Sequence, residues 1–405
     1  MVNIKKLLHQ SELSLLSLLI VSLPSFEAPK NIFLVLFVVT SLGKQIIEKD
    51  LHSWKLWDWI FLTFTSTALV TTLFPAMHAA EWRGFSVLLS SISVGWLISR
   101  SKFTTTELGW LFTLAIFSTL PPLIVGLIKY LYLHNKPDLQ LHSVGHVNHS
   151  AIYLTIILGA SLGLLIALWK KTSFIKKSML VSVNILFFVS LIVGQSRAAI
   201  GIGSLLTVFL FLALAQDKKL KVTGITSLVI ISLTSIFLNV EVVQKQHRNE
   251  KENDILGSRD KVWNISYEAA RWSPLLGIGI SNWGEITPEE IKKSVEARGL
   301  NYNKDNYFFR AHSHSLYLTT LAERGLIGFS ALLFLMLGWF YYLIKNFNNA
   351  LKNCQGAYLW AGSFSAWAVT FGIGFVNTTF HHEHAILACI LLGLFVSYIN
   401  FKKYL

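Results

Sequence analysis

Apolar residues run along the chain in long blocks separated by short polar and basic stretches. Most blocks are about 17 to 25 residues long, the length a helix needs to cross the hydrocarbon core of a bilayer. The pattern predicts about twelve spans, at 8–24, 31–46, 56–74, 84–99, 109–131, 150–169, 178–194, 199–215, 222–240, 315–344, 357–377 and 385–401. The expected fold is an all-α polytopic membrane protein. The first block, 13–23, has no small-residue cleavage site and is followed by Pro24 and a second apolar block, so it reads as a retained helix.

One stretch, 241–314, breaks the pattern by being polar and charged. It divides the chain into spans one to nine (1–240), a loop domain (241–314) and spans ten to twelve (315–405). Inside it, "TPEEIKKSVEARG" carries helix signals at both ends: Thr287 as N-cap with Glu290 closing a capping box, Pro288 at the first helical position, and Gly299 as the stop. Upstream, "RDKVWNISYEAARWSPLLGIGISNWG" sets Val262, Ile265, Ala269 and Trp272 on one side of a helix that ends before Pro274. The following "PLLGIG" reads as a tight turn, permissive for close approach of a ligand to the backbone. No repeat of 20 to 50 residues is visible, and the two halves show no symmetry of the kind many transporters carry.

Charge then fixes orientation. The net charge of +13 would suggest nucleic acid in a soluble chain, but in a membrane chain its placement matters more. With the N-terminus cytoplasmic, the inside connections carry Lys5 and Lys6; Lys44, Lys49 and Lys55; Arg100 and Lys102; Lys170, Lys171, Lys176 and Lys177; Lys218, Lys219 and Lys221; Lys345 and Lys352; and Lys402 and Lys403. The opposite short connections hold Lys30, Arg83, Lys129, Lys136 and Arg197. Positive residues favour the cytoplasmic side, so the 241–314 loop is expected on the outer face, and no acidic or nucleic-acid partner is needed to explain the charge. Two cysteines, Cys354 and Cys389, give neither a disulfide framework nor a thiolate metal site.

On that same outer face fall Arg83, His146 and His149, Arg197, Arg259, the pair His312 and His314 in "HSHSLYLTTLAERGLIGF", and "HHEH" at His381 to His384. Arg197 lies between two closely spaced apolar blocks, where a guanidinium either snorkels to headgroups or meets an anion such as a diphosphate. The small residues after it leave room for a ligand, and its fork of donors suits phosphate. A charge in an outer loop is solvated by default, so Arg259 taken alone carries little.

Three readings compete for the histidines. A metal site would combine "HSH" with "HHEH", although the first is not a regular metal spacing and the two lie far apart in sequence. A rim position at the water boundary is the bland reading, stronger for "HHEH". The third makes one imidazole a general base, kept neutral by nearby arginines and able to take a proton from a hydroxyl. A helix starting at Ser315 would add backbone donors favourable to phosphate.

"HSLYLTTLAERGLIG" has the H-[N/S/Q], nine residues, G-x-x-G pattern that resembles the bacterial O-antigen ligase family and its related polymerases. "SRAAIG" is similar to that family's arginine motif opening a mid-chain helix, and "SRDKVW" through "PLLGIG" to a segment of its large periplasmic loop. The resemblance implies a GT-C-like glycosyltransferase with that loop between helices nine and ten. It would act at the periplasmic face of the bacterial inner membrane, with no cofactor, no nucleotide sugar and no metal. It further implies an undecaprenyl-diphosphate-linked glycan as donor and lipid A–core as acceptor, with His314 as base and Arg197 and Arg259 on the diphosphate. His312, Arg83, His146 and His149 would be supporting residues. Alternatives left open are an O-antigen polymerase, a protein O-oligosaccharyltransferase, and a transporter or flippase for a lipid-linked glycan. For the last, ionisable residues are expected at mid-membrane, reachable from both faces.

Overall fold

The computed structural model describes residues 2–48, 53–74, 82–134, 138–141, 146–237, 244, 257–310 and 312–402. Lys49, Lys136, Lys403, the last residues of the predicted ninth span and much of the first part of the predicted loop lie outside these. Among the described residues there is no strand. The helices are α1 (Val2–Ser22), α2 (Glu27–Glu48), α3 (Leu56–Leu73), α4 (Trp82–Arg100), α5 (Thr105–Phe117), α6 (Leu120–Leu127), α7 (Val147–Leu168), α8 (Phe174–Val193), α9 (Arg197–Leu214) and α10 (Lys218–Phe237). They continue with α11 (Arg259–Trp272), α12 (Pro288–Glu296), α13 (Leu316–Lys345), α14 (Phe347–Leu351), α15 (Cys354–Ile373) and α16 (His382–Lys402).

A helix stands at each of the twelve predicted positions, and eight candidate spans are long and apolar enough to cross a membrane. In the predicted 109–131 span, α5 and α6 are separated at Ser118 and Thr119 just ahead of Pro121 and Pro122, and a π turn, Ile128–Tyr132, completes the stretch. The chain therefore has the class of a multi-pass helical membrane protein.

α7 and α16 are buried almost throughout, as expected of helices apolar on every side. Glycines let their neighbours approach: a Cβ on Gly159 or Gly163 would overlap Ser365 or Ala361 of α15, and one on Gly95 would crowd Cys389 of α16. These contacts also give direction. Gly163 meets Ala361 while Gly159 meets Ser365, so α7 and α15 are antiparallel; Gly203 beside Thr155 and Leu206 beside Gly159 make α9 parallel to α7. Gly393 beside Ile98 makes α16 parallel to α4. The starts of α4, α7, α9 and α16 and the finish of α15 consequently share one end of the bundle.

At the opposite end many of the basic residues have acidic partners. Lys44 reaches the buried Glu12 at 2.6 Å, Arg100 reaches Asp58 at 2.6 Å, and Lys102 reaches Glu48 at 2.9 Å. Lys30, at the site end, is held between Glu27 and Glu383.

The loop region has its own small core of Val262, Ile265, Ala269, Ile278, Trp283, Ile286, Ile291 and Val295. α11 presents the apolar face its spacing predicts, and α12 begins with the Thr287–Glu290 capping box and is followed by Gly299 at φ 75°. Ala322 of α13 belongs to this core too.

Candidate functional site

α13 breaks at Gly325, whose φ of 59° and ψ of −163° no helix contains. Two ordinary helical bonds, from the Leu326 and Ile327 amides to the Ala322 and Glu323 carbonyls, are replaced on both sides by the "PLLGIG" turn. Leu326 N–H donates to the Pro274 carbonyl and Ile327 N–H to the Leu275 carbonyl, at 2.7 and 3.2 Å. In return Ile278 N–H donates to the Ala322 carbonyl and Gly279 N–H to the Glu323 carbonyl, at 2.9 and 3.0 Å. Backbone groups near the bilayer must be paired within the protein, and the loop supplies the partners the break requires. The close approach expected of "PLLGIG" is thus to the chain's own backbone: a Cβ on Gly277 would overlap Glu323 and Arg324, and one on Gly325 would overlap the Leu275 carbonyl. Gly328 leaves space for Arg324, whose guanidinium is buried, donates to Thr67 Oγ1 at 2.9 Å and lies 4.6 Å from the Phe64 ring centroid.

Residues 326–345 suffice, at about 1.5 Å per residue, to cross the hydrocarbon core. The short segment before the break is therefore available to line the site. Ser315 caps it, accepting from Leu318 N–H, and the Leu316 amide donates to the Gly374 carbonyl at 2.8 Å and the Asn377 carbonyl at 3.1 Å. Ser313, fully buried, bonds Thr319 Oγ1 at 2.6 Å. Arg259 Nε donates to the Val376 carbonyl at 3.1 Å. One turn after α15 thus anchors both the start of α13 and the start of α11, and brings His314 and Arg259 to the same corner.

His314 has φ 53°, and its ring centroid is 4.3 Å from that of His312. Its Nδ1 is buried without a hydrogen-bond partner. Burial first, then the proximity of His312, Arg259, Arg310 and His146, pushes His314 down to about 4. Burial, then His146 and His382, lowers His312. Gln195, Ser258, Ser281 and His382 are also left-handed, each in or beside a site segment; such strain persists where the surroundings fix it and gathers at functional sites.

A polar cavity of about 370 Å³ opens beside this corner. Arg83, His149, His312, His381 and His382 line it together with Thr319, Thr320, Glu323 and Arg324. Gly84 permits the start of α4 to reach it, since a Cβ there would overlap the Ser281 hydroxyl. His146 caps α7 by accepting from the Asn148 amide, and its ring is 5.1 Å from His149. His149 in turn lies 4.8 Å from His381, 4.9 Å from His382 and 5.5 Å from His384. Burial and the surrounding imidazoles hold His381 well below its ordinary range. Arg197 begins α9, where Ser196 makes no side-chain capping bond; neither Arg197 nor Arg259 is among the described residues lining this cavity.

On the other flank of the same segment lies an apolar groove of about 710 Å³, with Trp263 and Tyr267 of α11, Ser315, Tyr317 and Leu318 at its head. It meets a second cavity of about 550 Å³ at Trp367, which extends the aromatic lining along α13 and α15 to Phe347. Phe340 stacks on Trp367 at 4.6 Å, and Phe364 on Phe209 at 4.5 Å.

Sequence reasoning did not single out Arg310, which acts on His314, or Arg324, which fills the space beside Gly328. Arg310 carries no pattern of its own. Arg324 stands directly before Gly325 in the H…G-x-x-G motif, a position that marks it in hindsight.

Residues 182–333 match the family model described as O-antigen ligase, in agreement with the resemblance read from the motifs. The matched stretch contains Arg197, Arg259, His312, His314, Gly325 and Gly328, and leaves Arg83, His146, His149 and His381 to His384 outside. An uncharacterized protein of Haemophilus influenzae is 25% identical over 181 residues, covering 42% of this chain and 43% of that protein. The match thus spans less than half of that relative's length.

Proposed function

We propose that the protein is an O-antigen ligase of the GT-C-like, twelve-span type, working at the periplasmic face of the bacterial inner membrane. It transfers a polysaccharide from undecaprenyl diphosphate to a sugar hydroxyl of lipid A–core. The observation that carries this reading is the segment 316–324. It forms a wall between an aromatic groove on one flank and a polar, histidine-lined cavity on the other, with His314 at its head.

The groove suits a polyprenyl tail, and Arg259, on the helix at its head, suits the diphosphate. Arg197 adds a cation at a helix N-terminus, where amide donors and the helix dipole favour an anion. The polar cavity suits the acceptor sugar, with Arg83, His146, His149 and His312 as supporting contacts.

In the transfer, the acceptor oxygen attacks the anomeric carbon and its bond to the diphosphate breaks, inverting that centre. His314 takes the hydroxyl proton. A diphosphate leaves readily once its charge is met, so arginines do more here than a general acid would. No metal enters a step.

A test supplies purified protein with undecaprenyl-diphosphate glycan and either lipid A–core or a second lipid-linked glycan, with chelator present. Product on the core supports the ligase. Chain extension on the second lipid would make the protein a polymerase, and transfer that survives chelator supports a metal-free reaction.

A further inference from the structure

His149, His381 and His382 offer ligand nitrogens that all lie within 4.8 Å of one another. They come from two places far apart in sequence: His149 from the first turn of α7, His381 and His382 from the start of α16. Neither lies in the family-matched stretch, and "HSH" is not the partner that "HHEH" finds. The backbone at His382 is turned into the left-handed region, φ 54°, a conformation that an L-residue adopts only under constraint. His381 Nδ1 is buried and makes no hydrogen bond. A buried imidazole nitrogen without a partner is a standing cost, and three imidazoles converging without mutual hydrogen bonds call for something between them.

We infer that these three histidines form a binding site for a borderline divalent transition-metal ion, with Zn²⁺ the natural occupant. Imidazole is a ligand of choice for Zn²⁺, and three protein ligands with one open position are an ordinary arrangement. Nitrogens around a tetrahedral Zn²⁺ stand about 3.4 Å apart, so side-chain rotations of roughly an ångström close the site. The carboxylates nearby are engaged: Glu323, which shares the cavity with Arg83, accepts from the Trp283 amide, and Glu383 is paired with Lys30. The fourth position therefore takes an anionic ligand, such as hydroxide or chloride, which offsets the charge Arg83 places nearby. The bound ion ties the start of α7 to the start of α16 and fixes the cavity wall opposite 316–324. This is a clamp on the site, separate from the proton transfer assigned to His314.

The test uses the untagged full-length protein in detergent, freed of metal and titrated with Co²⁺ and then Zn²⁺. Expected are a visible absorption band of low-coordinate Co²⁺ that saturates at one equivalent per chain, its displacement by Zn²⁺, and a rise in the thermal midpoint with Zn²⁺. His149→Asn and His381→Asn each lose the band and the thermal rise. Their midpoints without metal report whether they are folded. No band in the parent protein overturns the site. So does a band of undiminished strength in both folded variants, or one that requires His312 in place of His149.

Discussion

Gly277 and Gly325 lie against one another through backbone alone: the Gly277 amide would be crowded by a Cβ on Gly325, and the Glu323–Arg324 peptide by a Cβ on Gly277. Both have positive φ, 74° and 59°. The two glycines of distant motifs are therefore one joint, at which the loop region enters the hydrogen bonding of a long apolar helix.

Gly325→Ala is expected to lower stability by at least about 1–3 kcal/mol, the cost of a left-handed L-residue, before any overlap with Leu275 is added. Thermal unfolding of the detergent-solubilised protein measures it. Because Gly277→Ala opens the same joint, the double variant should lose less than the sum of the singles. Additive losses would mean that the two glycines act independently.

His314→Ala should leave the protein inserted and folded and reduce transfer by about 10²–10⁴-fold, the contribution of a positioned base. With the imidazole held at about 4, its basic, neutral form is already complete at neutral pH. The kcat/KM profile, which reports the free enzyme, is accordingly expected to be flat from pH 8 down to about pH 5.5, declining only as the pH falls toward 4. An inflection at the ordinary histidine value, near 6.5, would contradict the buried, arginine-flanked setting.

For Arg259→Ala a loss of about 10²–10³-fold in kcat/KM is expected, as for removal of a charge-stabilising donor. Arg259→Lys should recover only part, because lysine cannot hold the Val376 carbonyl through Nε and present a fork to phosphate together. Steady-state kinetics with varied donor separate the two; full activity in Arg259→Lys would remove the diphosphate role.

Glu12→Ala strips the carboxylate partner from Lys44 at the far end of the bundle, where both side chains are buried, and leaves it only the His9 imidazole. Breaking such a pair costs about 3–5 kcal/mol; Ser101 Oγ, which also donates to Glu12, keeps the Leu97 carbonyl as acceptor. Unfolding in denaturant should show the drop. An unchanged midpoint would show Lys44 to be as well solvated without Glu12 as with it.

Much of the fold was legible because apolar length and helix punctuation are local. The twelve helix positions, the apolar face of α11 and the capping box of α12 follow from residues within a turn or two of each other. The motif glycines were legible as a pattern, but their purpose was not, and a role for His314 as base was legible only through the resemblance. Gly325 and Gly277 explain each other only once the loop is docked. Likewise His149 meets His381 only because α7 and α16 start at the same end, a fact of helix packing that no spacing records. The break in α13 was hidden for the opposite reason: its flanks are helical by composition, and the partners that permit it lie some fifty residues upstream.

The joint at Gly325 also constrains the order of assembly. Residues 274–279 are synthesised before α13, so the docking strip is already available when the helix arrives, and the broken form of the helix is completed by pairing with it. The tenth long helix is then inserted as two pieces welded by a segment made earlier. A loop graft between relatives should accordingly fail unless the stretch around Gly325 is carried with it.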